Sequence, residues 1–358
     1  MTRLRVGLEL TVLELDRGGT ARSARRLAQE LARREDVELV PFAQGGRLRG
    51  RVARGLAREL AWLPVELPRR TRRAHVDLLH CPSPLVPAVP ASTPLVVTVH
   101  DVLAWEHPEW MGRANVLQHR LVLQRVLPRA AVVLTSSAFT RDALVRRLRL
   151  DPERVVVAPL GVDAAFSPGA GGAPGVEGPY LLAVGTLQPR KDLETALAAF
   201  ERLADGGVPH ALVVAGARGW RDEEMVARLR ASRHAARIHL LGHVREEVLV
   251  AALRGADALL FASRYEGFGL PPLEAMACGT PVVAARATSV PEIVGDAALL
   301  VEPGDARGFA EAVGGLLADP AAHAAVRERG LRRAATFTWA RCAEATVAAY
   351  GQAAGGRR

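Results

Sequence analysis

Ser263-Arg264-Tyr265-Glu266-Gly267-Phe268-Gly269-Leu270-Pro271-Pro272-Leu273-Glu274-Ala275-Met276-Ala277-Cys278-Gly279 is the stretch from which the fold of this chain is read. The run Ala256–Ala262 just before it is short, continuously apolar and flanked by turn residues, as in a strand buried on both faces of a parallel sheet. Gly267 and Gly269 permit a sharp turn that exposes backbone N–H groups. Pro271 suits the first helical position, where a missing N–H costs nothing, and Gly279 is a natural helix stop. The segment therefore reads strand, glycine turn, helix. Glu266 falls on the loop at the strand's carboxyl end, and Glu274 in the first turn of the helix. Ligands bind at that edge of open α/β sheets, and a helix dipole keeps a nearby carboxylate ionised and a good hydrogen-bond acceptor.

A second segment points the same way. Lysine and arginine together number 47, yet only one is a lysine, Lys191. It lies in Val184-Gly185-Thr186-Leu187-Gln188-Pro189-Arg190-Lys191-Asp192, between an apparent strand from Tyr180 to Val184 and an amphipathic helix from Asp192 to Leu203. An anion docked there would meet helix N–H groups, a guanidinium fork and an ammonium point charge. A basic surface loop beside a helix start is the plainer reading of the residues alone.

The same alternation of apolar segments and helical patterns runs through the chain, which implies βαβ units and parallel sheets. Strands are predicted at Arg3–Leu8, Val37–Pro41, Val76–His80, Leu95–Val99, Ala131–Thr135 and Arg154–Ala158, with helices at Ala21–Arg33, Asn115–Leu127 and Phe139–Leu148. Ser167–Gly178 is rich in Gly and Pro and reads as a linker. Beyond it strands are expected near Tyr180, Ala211, Ile238, Ala256, Pro281 and Ala298, and Trp339–Tyr350 has helical spacing. Two doubly wound α/β domains are the economical solution. At 358 residues with 49% hydrophobic content, the chain has enough material for two cores.

Composition bounds the function. The net charge of +9 suits polyanionic partners, but aromatic content of 4% and the lack of any nucleic-acid-binding pattern disfavour nucleic acid. No apolar run reaches the roughly 18 residues of a membrane span, and the N-terminus lacks the apolar core of a signal peptide. Cys81, Cys278 and Cys342 have neither a disulfide framework nor zinc spacing. A reducing cytoplasm is therefore the expected location. Arg47, Arg51, Arg54 and Arg58 share one helical face opposite Leu48, Val52, Leu56 and Leu60, with more arginines at Arg69, Arg70, Arg72 and Arg73. Such a helix could rest peripherally on anionic membrane, and a surface helix packed on its own domain explains the pattern at least as well.

Glu266 and Glu274 around Gly-Phe-Gly-Leu-Pro, followed by Gly279-Thr280-Pro281-Val282-Val283 and Pro291-Glu292-Ile293-Val294-Gly295-Asp296, resemble the large family of retaining glycosyltransferases that includes bacterial mannosyl- and rhamnosyltransferases. The resemblance spans essentially the whole chain, strongly from Tyr180 onward. It implies the GT-B arrangement, two Rossmann-like domains facing across a cleft. The expected organisation is an acceptor-binding domain at 1–166, a linker at 167–178, a donor-binding domain at 179–337 and a terminal helix at 338–358 that crosses back to the first domain.

The resemblance also implies roles. Glu266 contacts the donor sugar and Glu274 the ribose, Arg190 and Lys191 bind the diphosphate beside Gly185, and the backbone of Phe268, Gly269 and Leu270 orients the sugar. Val244, in Gly242-His243-Val244, would meet the nucleobase. His100, in Val97-Thr98-Val99-His100-Asp101-Val102, would face the donor sugar, although the residues alone suggest a structural histidine. Gly19, in Gly18-Gly19-Thr20, would close over the diphosphate, and a plain turn with Thr20 as N-cap fits nearly as well.

The expected partners are a nucleotide sugar and a saccharide or lipid-linked acceptor. The sequence has no Asp-x-Asp, the pair with which many sugar transferases hold a divalent ion, so neither a metal nor another cofactor is expected. A GDP-mannose-like donor is favoured, with UDP-sugars as the alternative. Rival classes are a glycoside hydrolase, which would share the carboxylate pair, and a non-catalytic nucleotide-sugar-binding protein. An NAD-dependent oxidoreductase is remote, because no Gly-x-Gly-x-x-Gly follows a strand.

Overall fold

The structure, a computed structural model, describes residues 3–15, 18–44, 55, 57–87, 93–219 and 222–355. The chain forms two compact units, residues 1–161 with 339–358 and residues 162–338.

The first unit is built on six parallel strands, β1 (Leu4–Glu9), β2 (Val37–Phe42), β3 (Leu78–Cys81), β4 (Leu95–Val99), β5 (Val132–Thr135) and β6 (Val155–Val157). Their spatial order is β2-β1-β3-β4-β5-β6. Strands β3 and β5 are buried at every position, as parallel strands covered on both faces must be. The main helices are α1 (Gly19–Ala32), α2 (Arg113–Val126) and α3 (Ala138–Leu148). The order reverses between β1 and β3, so the loops leaving those strands flank a crevice at the sheet's carboxyl edge.

The terminal helix, Trp339–Gly355, belongs to this unit and packs on α1 and the sheet. A buried polar chain fixes it there. His80 Nδ1 pairs with the Tyr350 hydroxyl at 2.7 Å, and His80 Nε2 with Thr98 Oγ1 at 2.8 Å. Burial pushes the His80 imidazole down to about 3, with His100 as a minor contributor. The unfolded chain takes up that proton near 6.5, whereas the folded chain resists it. Below about pH 6.5, His80 therefore destabilises the unit progressively as the pH falls, until its folded pKa is reached. Tyr350→Phe leaves His80 Nδ1 buried without a partner and is expected to cost about 1–3 kcal/mol, seen as a lower midpoint in denaturant unfolding at pH 7.

The second unit repeats the plan with β7 (Tyr180–Val184), β8 (Ala211–Ala215), β9 (Ile238–Gly242), β10 (Ala258–Phe261), β11 (Val282–Ala285) and β12 (Leu299–Val301), all parallel. The order is β12-β11-β10-β7-β8-β9, so the reversal falls between β7 and β10. Helices α4 (Leu193–Asp205), α5 (Glu223–Ala231), α6 (Glu246–Gly255), α7 (Leu270–Cys278), α8 (Val290–Val294), α9 (Ala306–Ala318) and α10 (Pro320–Ala334) complete the unit. Its core joins Leu181, Leu212, Leu260 and Val283 to Phe200 of α4 and Phe309 of α9.

Four expectations change. The glycine- and proline-rich segment 167–178 is no spacer. It lies along α6, where Gly172 N donates to Ala251 O at 2.8 Å and Arg254 Nε to Ser167 O at 2.7 Å. Helix α7 begins at Leu270 because Gly269, at φ 109°, is its cap, which moves Glu274 from the first turn into the second. Gly18 rather than Thr20 caps α1, with no side-chain cap bond. Arg47, Arg51 and Arg54 lie outside the described residues, and Arg58–Glu66, with Pro64 inside it, is wound as a π-helix. Proline lacks the N–H that a regular turn requires there.

Candidate functional site

The two loops at the switch point of the second unit carry the charged residues singled out above. After β7, the chain is tied to the loop after β8: Gly185 N donates to Ala215 O at 3.0 Å and Leu187 N to Ala217 O at 2.9 Å. This approach is possible because Gly216 has no side chain; a methyl group there would overlap the Gly185 carbonyl. A single 3₁₀ turn, Pro189–Lys191, then presents Arg190 and Lys191. Asp192 closes it at φ 47°. Its buried carboxylate accepts from Thr195 Oγ1 at 2.8 Å and Arg264 Nε at 2.7 Å.

The loop after β10 docks against this turn. Arg264 N donates to Arg190 O at 2.8 Å, and Ser263 Oγ to the same carbonyl at 3.2 Å. Glu266 is thereby brought to both cations. Its Oε1 pairs with Lys191 Nζ and its Oε2 with Arg190 at 3.2 Å, while Arg190 also donates to Tyr265 O at 3.0 Å. Burial pushes the Glu266 carboxyl up, but the Lys191 and Arg190 charges outweigh it and hold the group below the usual carboxylate range. The Lys191 ammonium also lies 5.5 Å from the Phe261 ring centre. One carboxylate balances one of the two cations, so the cluster keeps a positive charge with which to meet an anion.

The Glu266 backbone is held from the next strand over. Thr288 Oγ1 accepts from Glu266 N and donates to Glu266 O, both at 2.9 Å. Ser289 Oγ donates to the carbonyls of Glu266 and Phe268, also at 2.9 Å. Thr288 has φ 48°, a left-handed conformation that costs a residue with a side chain about 1–2 kcal/mol.

The other candidates take different places. Phe268 is buried and packs edge-on to Phe337, and its carbonyl accepts from Ser289 Oγ; Gly269 and Leu270 follow it at the start of α7. Glu274 is 3% exposed on α7. Val244 follows β9, two strands along the same carboxyl edge from β7.

His100 and Gly19 belong to the first unit. Gly19 opens α1 beside the loop from β1 and has open space around its Cα. His100 follows β4, and its carbonyl accepts from Thr140 Oγ1 at 3.2 Å. Burial lowers its imidazole pKa against the opposing effects of Asp101 and a hydrogen bond with the Pro82 backbone. Its Nε2 is buried without a hydrogen-bond partner among the described residues, beside a cavity of about 20 Å³ lined partly by the terminal helix.

The sequence reading assigned no part to Asp192, Arg264, Ser263, Thr288 or Ser289. Arg264 and Ser263 lie inside the quoted stretch, so their nearness to Glu266 was visible. The bond between Asp192 and Thr195 is local, but those from Arg264 to Asp192 and between Thr288 and Glu266 depend on which strands become neighbours, and local sequence carries no mark of that.

The family model for "Glycosyl transferases group 1" matches residues 178–319, and that for "Glycosyltransferase Family 4" matches residues 17–166. With the two doubly wound α/β units, these matches define a glycosyltransferase of the two-domain GT-B class. The chain is 32% identical over 267 residues to the O-antigen chain mannosyltransferase B of Escherichia coli, covering 71% of this chain and 69% of that protein. It is 31% identical over 301 residues to the MMP α-(1→4)-mannosyltransferase of Mycolicibacterium hassiacum, covering 79% and 72%. The solved structure of Anabaena Alr3699/HepE in complex with UDP-glucose superposes with a TM-score of 0.74 at 19% identity, covering 98% of this chain and all of that one. The chain belongs to the group 1, family 4 glycosyltransferases.

Proposed function

We propose that this enzyme transfers a hexose or deoxyhexose from a nucleoside-diphosphate sugar, GDP-mannose in first place, to a hydroxyl of a saccharide or lipid-linked acceptor with retention at the anomeric carbon. One observation carries the reading: two cations and an ionised carboxylate converge where the strand order of the second unit reverses. The diphosphate takes Arg190 and Lys191 as partners, and Glu266, relieved of part of its ion pairing, turns to the sugar hydroxyls. Glu274 serves the ribose. The bond from the anomeric carbon to the phosphate oxygen breaks while the acceptor oxygen bonds to the same face. The acceptor proton passes to the departing phosphate. Arg190 and Lys191 stabilise the charge that builds on it, with no requirement for a divalent ion.

A glycosidase needs a carboxylic acid of raised pKa as proton donor. Glu266 is held in the opposite state, which weighs against that rival. The mannosyltransferase relatives favour GDP-mannose. A UDP-sugar is the second reading, favoured by the UDP-glucose bound in the HepE structure. Thermal-shift measurements against a panel of nucleotide sugars separate the two. GDP-mannose is expected to raise the melting temperature more than GDP or any uridine compound, and stabilisation by UDP-sugars alone would replace the guanosine assignment.

A further inference from the structure

We propose that Thr288 is a positioning residue for the donor sugar, its hydroxyl clasping both backbone groups of Glu266. This rests on the reading of Glu266 as the sugar contact. A hydroxyl has one proton to give and lone pairs to accept with, and Thr288 Oγ1 uses both on a single residue, at 2.9 Å to the N–H and 2.9 Å to the carbonyl. The two peptide units that flank the Glu266 Cα are each held at one polar group, which restrains rotation about its φ and ψ. The direction in which the Glu266 side chain leaves the loop is thereby fixed, and it leaves toward Lys191 and Arg190.

The backbone of Thr288 argues for the same role. It is one of four residues other than glycine with positive φ among the described residues. A β-branched residue is the poorest choice for that conformation. Strain of this kind persists where surrounding structure over-determines it and gathers at binding sites. At Thr288 the strained conformation is the one that delivers the hydroxyl to Glu266. The neighbouring Ser289 completes the grip through the Glu266 and Phe268 carbonyls, so the glycine turn before α7 is fastened to the loop after β11 at three backbone groups. Thr288 touches the sugar only through Glu266.

The test is the ratio of affinities for GDP-mannose and GDP, or for UDP-glucose and UDP if the screen selects uridine, measured calorimetrically on one folded preparation of each variant. Thr288→Val keeps the shape and removes the hydroxyl. It is expected to weaken sugar-nucleotide binding by about tenfold, the scale of one or two neutral hydrogen bonds, while binding of the bare nucleotide stays within about twofold. Thr288→Ser should recover most of the loss. Glu266→Gln should lower the same ratio, and the double variant Thr288→Val with Glu266→Gln should be no worse than Glu266→Gln alone, because one residue acts through the other. If Glu266→Gln lowers the ratio and Thr288→Val does not, the positioning role is overturned while the sugar contact stands. Unchanged selectivity in Glu266→Gln itself would overturn both. Should Thr288→Val not fold, Thr288→Ala makes the same comparison.

Discussion

Lys191→Ala is expected to lower kcat/KM for sugar transfer by about a hundred- to a thousandfold, the usual cost of removing one preorganised donor from a site of developing negative charge. The fold is expected to survive, because the backbone of the turn is held through Gln188, Asp192 and Arg264, and Glu266 keeps Arg190 as a partner when the lysine is removed. Lys191→Arg separates charge from shape. The lysine stem runs against Gly185, and beside it is a cavity of about 20 Å³ lined by Leu187, Leu260 and Phe261. That is room for about one water molecule, too little for a planar guanidinium. The charge-preserving change is therefore expected to lose at least about tenfold in kcat/KM, as at other sites where a compact ammonium is not interchangeable with the larger group. In a chain that otherwise uses arginine wherever lysine or arginine stands, the shape of this site gives a physical reason for the exception. Steady-state kinetics with a saturating acceptor checks both variants, and wild-type values in Lys191→Ala would remove it from the donor site.

The second large effect is expected at a residue with no side chain. Gly216→Ala places a methyl group onto the Gly185 carbonyl, and both partners are backbone. Overpacking that flexible side chains can absorb costs about 1–3 kcal/mol, and this contact has no side chain to move. The loops after β7 and β8 must part, breaking the bonds Gly185 N to Ala215 O and Leu187 N to Ala217 O. The expected result is a protein with a clearly lowered melting temperature and donor binding too weak to measure. Calorimetric unfolding and donor titration check it. Full donor affinity in a folded Gly216→Ala variant would mean that the two loops are not the support of the Lys191 turn.

Much of this site is legible in the sequence. Strands β7, β8 and β10 lie within two residues of where the sequence places them, because strands covered on both faces are written as unbroken apolar runs bounded by turn residues. Strand β9, at the sheet edge and only half-buried, is also placed, with a weaker signal. Lys191 stood out by its rarity and Glu266 by its glycine-rich surroundings. Their contact did not stand out. Residues 75 positions apart meet only because β10 pairs with β7, and the pairing order of parallel strands is decided by the whole unit.

The same reason hid Gly216, whose neighbour comes from another loop, and Thr288, whose partner comes from another strand. Glu274 was misplaced by one turn for a local cause, since Gly269 in a left-handed conformation starts α7 a residue early. The glycines and prolines of 167–178 read as a spacer because flexible linkers and close-packed irregular segments share a composition.

The central claim is that the cluster of Arg190, Lys191 and Glu266 is the seat of the activated donor. A crystal structure of the enzyme with the nucleotide sugar chosen by the thermal-shift panel tests it most directly. Phosphate oxygens are predicted within about 3 Å of Lys191 Nζ and the Arg190 guanidinium, with the sugar ring against Glu266. A donor bound with its diphosphate away from this turn, and Glu266 still locked in its ion pairs, would contradict the account.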